Sequence, residues 1–173
     1  MEVRSNKLEH DRFPLCVSPD HVMGLLGYLS GLGGVADADS FNRASGVDLD
    51  LLPHALDAAE MLGLVVSESG YIMLTKLGKR FGNEGARHVR KELGELISGI
   101  APFRDVVRAL REGRQVRREE ALEMLRKYQY GGSEEELERS FRCMLSWLLY
   151  AHLAEYDPEK DVLRPPRERR RST

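Results

Sequence analysis

Two short β-prone runs, Leu64 to Val66 and Tyr71 to Leu74, are separated only by "SESG". Four residues leave no room for a helix or a crossover, so the runs must pair as an antiparallel hairpin, with Gly70 suited to the turn. A lone two-stranded hairpin is marginal in water. What folds around it is therefore dictated by the helices on either side.

Those helices can be read from their punctuation. "VSPDHVMGLLGYLSGLGG" opens with Ser18 as N-cap and Pro19 at the first helical position, places Val22, Leu25, Leu26 and Leu29 on one face, and stops at Gly33 and Gly34. "DADSFNRASG" predicts a short second helix capped by Asp37 or Asp39, anchored by Phe41 and ended by Gly46. "DLDLLPHALDAAEMLG" predicts a third that buries Leu49, Leu52, Leu56 and Ala59, with Pro53 in its first turn and Gly63 at its end. After the hairpin, Thr75 can cap a closing helix with Leu77 and Phe81 inward. Three helices, a hairpin and a closing helix make a winged helix-turn-helix.

The second half repeats the scheme with longer helices. Val89, Leu93, Leu96, Ile97 and Ile100 share one stripe, Pro102 restarts the chain, and Phe103, Val106, Val107 and Leu110 share the next. "REEALEMLRKY" turns Leu122 and Leu125 inward before Gly131 and Gly132; Ser133 and Glu136 then form a capping box for a helix burying Leu137, Phe141, Met144, Leu145 and Leu148. "LAEYDPEKDVL" reads as a second hairpin with an Asp-Pro turn. The expected fold class is mainly α: tandem winged helix-turn-helix-like lobes with small β-hairpin wings. The expected organisation is an N-terminal arm at 1–16, a winged lobe at 17–83, a helical, degenerate winged lobe at 84–164 and a disordered basic tail at 165–173. A plain helical extension is the alternative for the second lobe.

Taken together, "VSPDHVMGLLGYLSGLGG", "DLLPHALDAAEMLGLVV", "LTKLGKRF" and "MLSWLLYAHLAEYD" resemble the AAA-associated C-terminal domain family, in order and spacing over roughly Val17 to Leu163. That family accompanies the ATP-binding cassette of nitrate, sulfonate and bicarbonate type transporter ATPases. The resemblance implies a non-catalytic accessory or regulatory module beside a transport ATPase, and it defines no catalytic residue. Residues 1–16, ahead of the resembling stretch, are too few to hold such a cassette. Acting freely, docking on a separate ABC-type ATPase and serving another partner all stay open.

The residues themselves exclude several chemistries. No Gly-x4-Gly-Lys-Ser/Thr loop exists to cradle phosphates, and "GLGGVA" follows a helix, where it reads as a cap and linker. The five histidines lack the i, i+4 pairing that would put two imidazoles on one metal. No Gly-x-Ser-x-Gly elbow occurs, and Cys16 and Cys143 are isolated thiols for which a buried packing role is expected. No enzyme activity, cofactor or metal is expected. The longest apolar stretches fall short of the ~18 residues of a membrane span, and "MEVRSNKLEHDRF" is no signal peptide, so the expected compartment is the cytoplasm.

Charge then weighs the partners. Met1 to Thr75 holds eleven acids against four bases, whereas Lys76 to Tyr130 holds fourteen bases against eight acids. The third helix, which would enter a DNA groove, carries Asp48, Asp50, Asp57 and Glu60 and no Lys or Arg, so phosphate would be repelled. Its counterpart in the second half begins "SEEELER". Arg104, Arg108, Arg111, Arg114, Arg117 and Arg118 form a basic run; its members Arg104, Arg108 and Arg111, which share one helical face, together with Lys76, Lys79 and Arg80 beside the first wing, are the candidate cationic surface for nucleic acid or a partner. Neighbouring acids such as Glu112, Glu119 and Glu120 are an alternative use for that charge. Trp147, Tyr150 and Tyr156 with Arg142 are a candidate protein-binding cluster, set against the simpler reading that they complete the second core. Attraction between the acidic third helix and the basic middle would give either a homodimer or a fixed two-lobed monomer, and both readings stand.

Overall fold

Ser18 starts the first helix in the way its sequence predicts. Its Oγ accepts from the His21 amide at 3.3 Å, while His21 Nδ1 accepts from the Ser18 amide at 3.1 Å. A histidine thus fills the place Glu or Gln usually takes in a capping box. The chain, a computed structural model, describes residues 12–44, 51–84 and 86–167.

The first unit runs α1 (Pro19–Gly31), β1 (Val35–Asp37), α2 (Ala38–Ala44), α3 (Leu52–Met61), β2 (Val65–Glu68), β3 (Tyr71–Leu74) and α4 (Lys76–Asn83). After α5 (Ala86–Ser98), the second runs α6 (Phe103–Arg111), β4 (Val116–Arg117), α7 (Arg118–Lys127), α8 (Glu134–Tyr150), β5 (Glu155–Asp157) and β6 (Val162–Arg164). The contacts divide the chain between Val89 and Arg90, inside α5.

Both sheets have the same antiparallel topology. β3 lies between β1 and β2, and β6 lies between β4 and β5. Helix, strand, helix, helix and hairpin therefore recur twice in one order, with the isolated strand paired to the last. This is the mainly α fold with small β wings that the sequence predicts.

The two single strands are the elements the sequence reading missed. Val35 to Asp37 lay in a stretch read as cap and linker, yet Val35 pairs with Met73, Ala36 with Ile72 and Asp37 with Tyr71. Val116 pairs with Leu163 and Arg117 with Val162. Strands of three and two residues are too short to show a period of two, so only the pairing partner makes them strands.

Elsewhere the differences are of degree. In α3 the buried positions are Leu52, Ala55, Ala58 and Ala59, whereas Leu56 is half-buried; a face of alanines lets the neighbouring elements approach closely. Leu49 and the Gly46 terminator lie outside the described residues. Pro53 does fall in the first turn, where its missing amide costs no helical hydrogen bond. Leu77, Leu96, Ile100, Leu122 and Leu145 are half-buried instead of core, and α7 ends at Lys127 ahead of Gly131, because Gln129 already takes a left-handed φ of 62°. Cys16, expected to be buried, is exposed, and Cys143 is half-buried.

The first wing closes through Ser69 and Gly70, whose φ values of 52° and 80° have the sign a type I′ turn needs at both central positions. Thr75 then joins three elements. Its amide donates to the Leu64 carbonyl at 3.0 Å, its hydroxyl donates to the Gly63 carbonyl at 2.6 Å, and the same oxygen caps the Gly78 amide at 3.0 Å. This pulls α4 so close to Leu64 that a Cβ on Gly78 would stand 1.9 Å from the Leu64 carbonyl oxygen.

Gly78→Ala is therefore expected to destabilise the chain by about 2–3 kcal/mol, although alanine ordinarily favours a helix over glycine by up to ~1 kcal/mol. Gly24 in α1 has nothing within 4 Å of its added Cβ. Gly24→Ala should stabilise by roughly 0.5–1 kcal/mol. Denaturant unfolding of the two variants should give shifts of opposite sign.

Candidate interaction surfaces

A groove-reading helix must show cations on its outer side. The exposed residues of α3 are Pro53, His54 and Glu60, with Asp57 half-buried, and no Lys or Arg is among them. Asp48 and Asp50 lie outside the described residues, so the acidic character of the outer side rests on Asp57 and Glu60. Part of that charge is felt by Cys16: although the residue as a whole is exposed, partial desolvation is the main cause that raises its thiol, and the Asp57 carboxylate adds to the shift.

The corresponding α8 is mixed in sign. Ser133 caps it by accepting from the Glu136 amide at 3.2 Å, and the Glu136 carboxylate turns back to accept from the Gly132 amide at 2.7 Å. Glu134 and Glu135 are exposed at its start, followed by exposed Arg139 and Arg142. A nearly balanced face gives a polyanion little net attraction.

The cationic candidates are divided between the two units. In the first, Lys76, Lys79 and Arg80 are exposed on α4, and Arg80 pairs with Glu84 at 3.4 Å. In the second, Arg104, Arg108 and Arg111 are exposed along one side of α6 while Phe103, Val106, Val107 and Leu110 are buried on the other. Arg104 reaches the Tyr128 hydroxyl at 3.4 Å, and Arg111 reaches Ser98 Oγ at 3.5 Å. Arg104 Nε also lies 4.0 Å from the Asp105 carboxylate. Arg114 pairs with Glu112 at 3.7 Å, an acid the sequence had nominated. Arg118 leaves the run altogether. It lies half-buried over the Phe141 ring at 4.7 Å, bonded to Glu138 and 3.9 Å from Asp161, where it ties α7 to α8 and to the second wing.

The candidate aromatic cluster is mostly packed into the second unit. Trp147 is fully buried in the second core, the natural place for the largest side chain on the α8 stripe of Leu137, Phe141, Met144 and Leu148. Tyr150 is half-buried beneath the Arg90 guanidinium, 4.9 Å from its ring centre, with Arg90 Nη1 3.2 Å from His152 Nε2. Tyr156 is half-buried and its hydroxyl donates to Asp161, a bond that together with burial raises the phenol above its ordinary value. Of that group only Arg142 is exposed.

A surface that the sequence reading did not nominate lies on the first sheet. The register aligns Val35, Met73 and Val66 in one row and Asp37, Tyr71 and Glu68 in the next, all on the face opposite buried Ile72 and Leu74. Val35, Val66 and Tyr71 are 48%, 45% and 51% exposed, against a usual preference for polar side chains on a sheet's wet face. Val35, Glu68, Ser69, Tyr71 and Met73 line a depression of about 390 Å³ there. The signal available in sequence was that "VVSE" and "YIML" carry apolar residues in both phases of the two-residue period, so one face of each had to remain uncovered or find cover.

Both units carry the same topology, and a single family spans them. Residues 40–157 match the C-terminal AAA-associated domain, from α2 of the first unit to the first strand of the second hairpin. The chain belongs to the C-terminal AAA-associated domain family. Membership makes it an accessory module of the AAA class. Comparison with curated proteins returns no match, and comparison with solved structures returns none. No helix among the described residues is long and apolar enough to cross a membrane. Among the described residues, no group of three or more His, Cys, Asp or Glu is placed to hold a metal ion.

The second wing yields a pH test. Asp157 Oδ1 accepts from the Glu159 and Lys160 amides at 3.0 and 3.2 Å, which builds the Asp-Pro turn, and Arg164 lies 3.5 Å from Oδ2. The Lys160 amide is the main cause that lowers the carboxyl below its ordinary range, opposed by partial burial. A depressed carboxyl contributes stability above the unfolded-state value and loses it as pH falls through the folded-state value. Asp157→Ala should therefore be less stable than the parent at neutral pH, and the difference should narrow toward acid. Thermal unfolding at a series of pH values checks both parts.

Proposed function

We propose that this chain is a non-catalytic regulatory or interaction module that works in the cytoplasm beside an ABC-type transporter ATPase. The observation that carries the reading is the match to an AAA-associated domain across both units. The electrostatics support it. A helix that reads DNA needs Lys and Arg on its outer side, and α3 offers Glu60 and Asp57. The first wing likewise brings Glu68 and no base to its turn.

The alternative is a winged-helix DNA binder that makes its contacts through basic elements other than the third helices. Exposed Arg104, Arg108 and Arg111 favour it, because three guanidiniums along one side of α6 match the spacing of a cationic contact stripe. Neutralising that many phosphates would give a log–log salt slope of about −2.7, from 0.9 per contact.

Two measurements separate the readings. Purification from the native host should retain a transporter ATPase with the chain, and mixing the purified pair should change the ATPase rate. Titration with random duplex DNA at ~50 mM salt should give no binding under the proposal. Binding that fades steeply by ~200 mM salt, and that Arg108→Glu/Arg111→Glu abolishes without loss of helicity, would replace the proposal with the alternative.

A further inference from the structure

The outer face of the first sheet is built differently from its counterpart. Both sheets pair three short strands in the same order. In the second sheet the outward positions other than Val162 are charged, and most of them pair: Glu155 lies opposite Arg164, Asp157 pairs with Arg164 at 3.5 Å, and Arg167 pairs with Glu155 at 3.5 Å. Arg117 and Asp157 flank Val162, which is left only 7% exposed. In the first sheet the row Val35, Met73, Val66 holds no charge, and Tyr71 beside it is half in solvent. Of the five large hydrophobic side chains exposed among the described residues, three stand on this face. The same architecture can evidently cover its wet face with ion pairs, and here it does not.

The shape and charge of the patch select what covers it. Three strands are about 10 Å across at ~4.8 Å per strand, the width of one helix with its side chains. A helix packed on a sheet is also the standard way to cover such a face. The only charged residues of the three strands are Asp37 and Glu68, which stand on either side of Tyr71 in the second row, and both are exposed. Asp37 also accepts from the Ser40 amide at 3.0 Å, which holds its carboxylate at the margin of the sheet. A polyanion or an anionic membrane would be repelled by this margin. A second copy docked through the same patch would bring acid toward acid, and three half-exposed side chains with Met73 fall short of the ~800 Å² per partner of a stable dimer.

We infer that the outer face of the first sheet, Val35, Val66, Tyr71 and Met73 with Asp37 and Glu68 at its margin, docks a single amphipathic helix of a partner protein, one that carries lysine or arginine beside its apolar stripe. The apolar row receives residues at i, i+3 or i+4 and i+7, and the two carboxylates receive the flanking cations. This deepens the interaction-module reading by naming the surface and the chemistry of the partner segment, and it rests on that reading.

The test uses the full chain and three labelled peptides of ~18 residues, about five helical turns. One has a leucine stripe flanked by lysines, one the same stripe flanked by glutamates, and one the lysine composition scrambled so that no stripe forms. Fluorescence anisotropy should show the lysine-flanked peptide binding at least about tenfold tighter than the other two. Val35→Thr/Val66→Thr, which keeps β-branched residues on both edge strands, should remove that preference with an unchanged circular dichroism spectrum. Asp37→Asn/Glu68→Gln, in which Asn can still cap α2, should weaken binding and flatten its salt dependence. Equal binding of the scrambled or acidic peptide, no binding of any, or no effect of either variant would overturn the inference. So would self-association of the parent chain that Val35→Thr/Val66→Thr abolishes, which would name a second copy as the occupant. No ATPase is present in these assays. Failure here with ATPase capture intact removes the patch, while peptide binding without ATPase capture removes the transporter reading.

Discussion

The hydrogen bonds that join each isolated strand to the last strand of its hairpin hold this architecture together. A hairpin such as β2 and β3 is marginal by itself. Pairing β1 along β3, with the Leu74 amide donating to the Gly34 carbonyl at 2.8 Å and the Ala38 amide donating to the Gly70 carbonyl at 2.9 Å, binds the wing to the chain between α1 and α2. The second unit repeats the device with two residues, Val116 and Arg117, and the Arg118 amide extends it to the Asp161 carbonyl. Helices that share a short sheet in this way have little freedom to slide. Close approaches such as Gly78 against Leu64 become available because the sheet holds the backbone still.

The same pairing creates the surfaces. Once the register is set, every residue of β1, β2 and β3 is assigned to one face, and a one-residue slip would exchange them. Ile72 and Leu74 go to the core; Val35, Val66 and Tyr71 go to solvent. In the second unit the equivalent face carries the Arg164–Asp157 and Arg167–Glu155 ion pairs around a covered Val162, and Arg118 is drawn from the basic run into the joint between α7, α8 and the wing. Two copies of one topology thus present different chemistry, which is how a duplicated scaffold can keep a fold and acquire a distinct contact surface.

Much of this was legible from local patterns. Ser18 with Pro19, Thr75, and Ser133 with Glu136 mark helix starts through caps that involve residues three apart, and such contacts need no knowledge of the rest of the fold. The stripes of α1, α6 and α8 follow from helical spacing. The family resemblance, read over Val17 to Leu163, agrees with the match at 40–157. What local patterns left open or missed depended on the rest of the fold. Of the two readings for Trp147, its burial selects the one in which it completes the second core, and Arg118 turns from the basic run to Glu138, 20 residues on. The expected burial of Cys16 is not found.

By itself, the sequence determined the number and order of the long helices, the two hairpins, the mainly α class and the family, because caps, glycine stops and periodic apolar residues act over a few bonds. The tertiary structure alone decided that Val35 to Asp37 and Val116 to Arg117 are strands, and which apolar side chains remain at the surface. Strands of two or three residues have no intrinsic stability, and they exist only where a partner's backbone donors and acceptors are already in place.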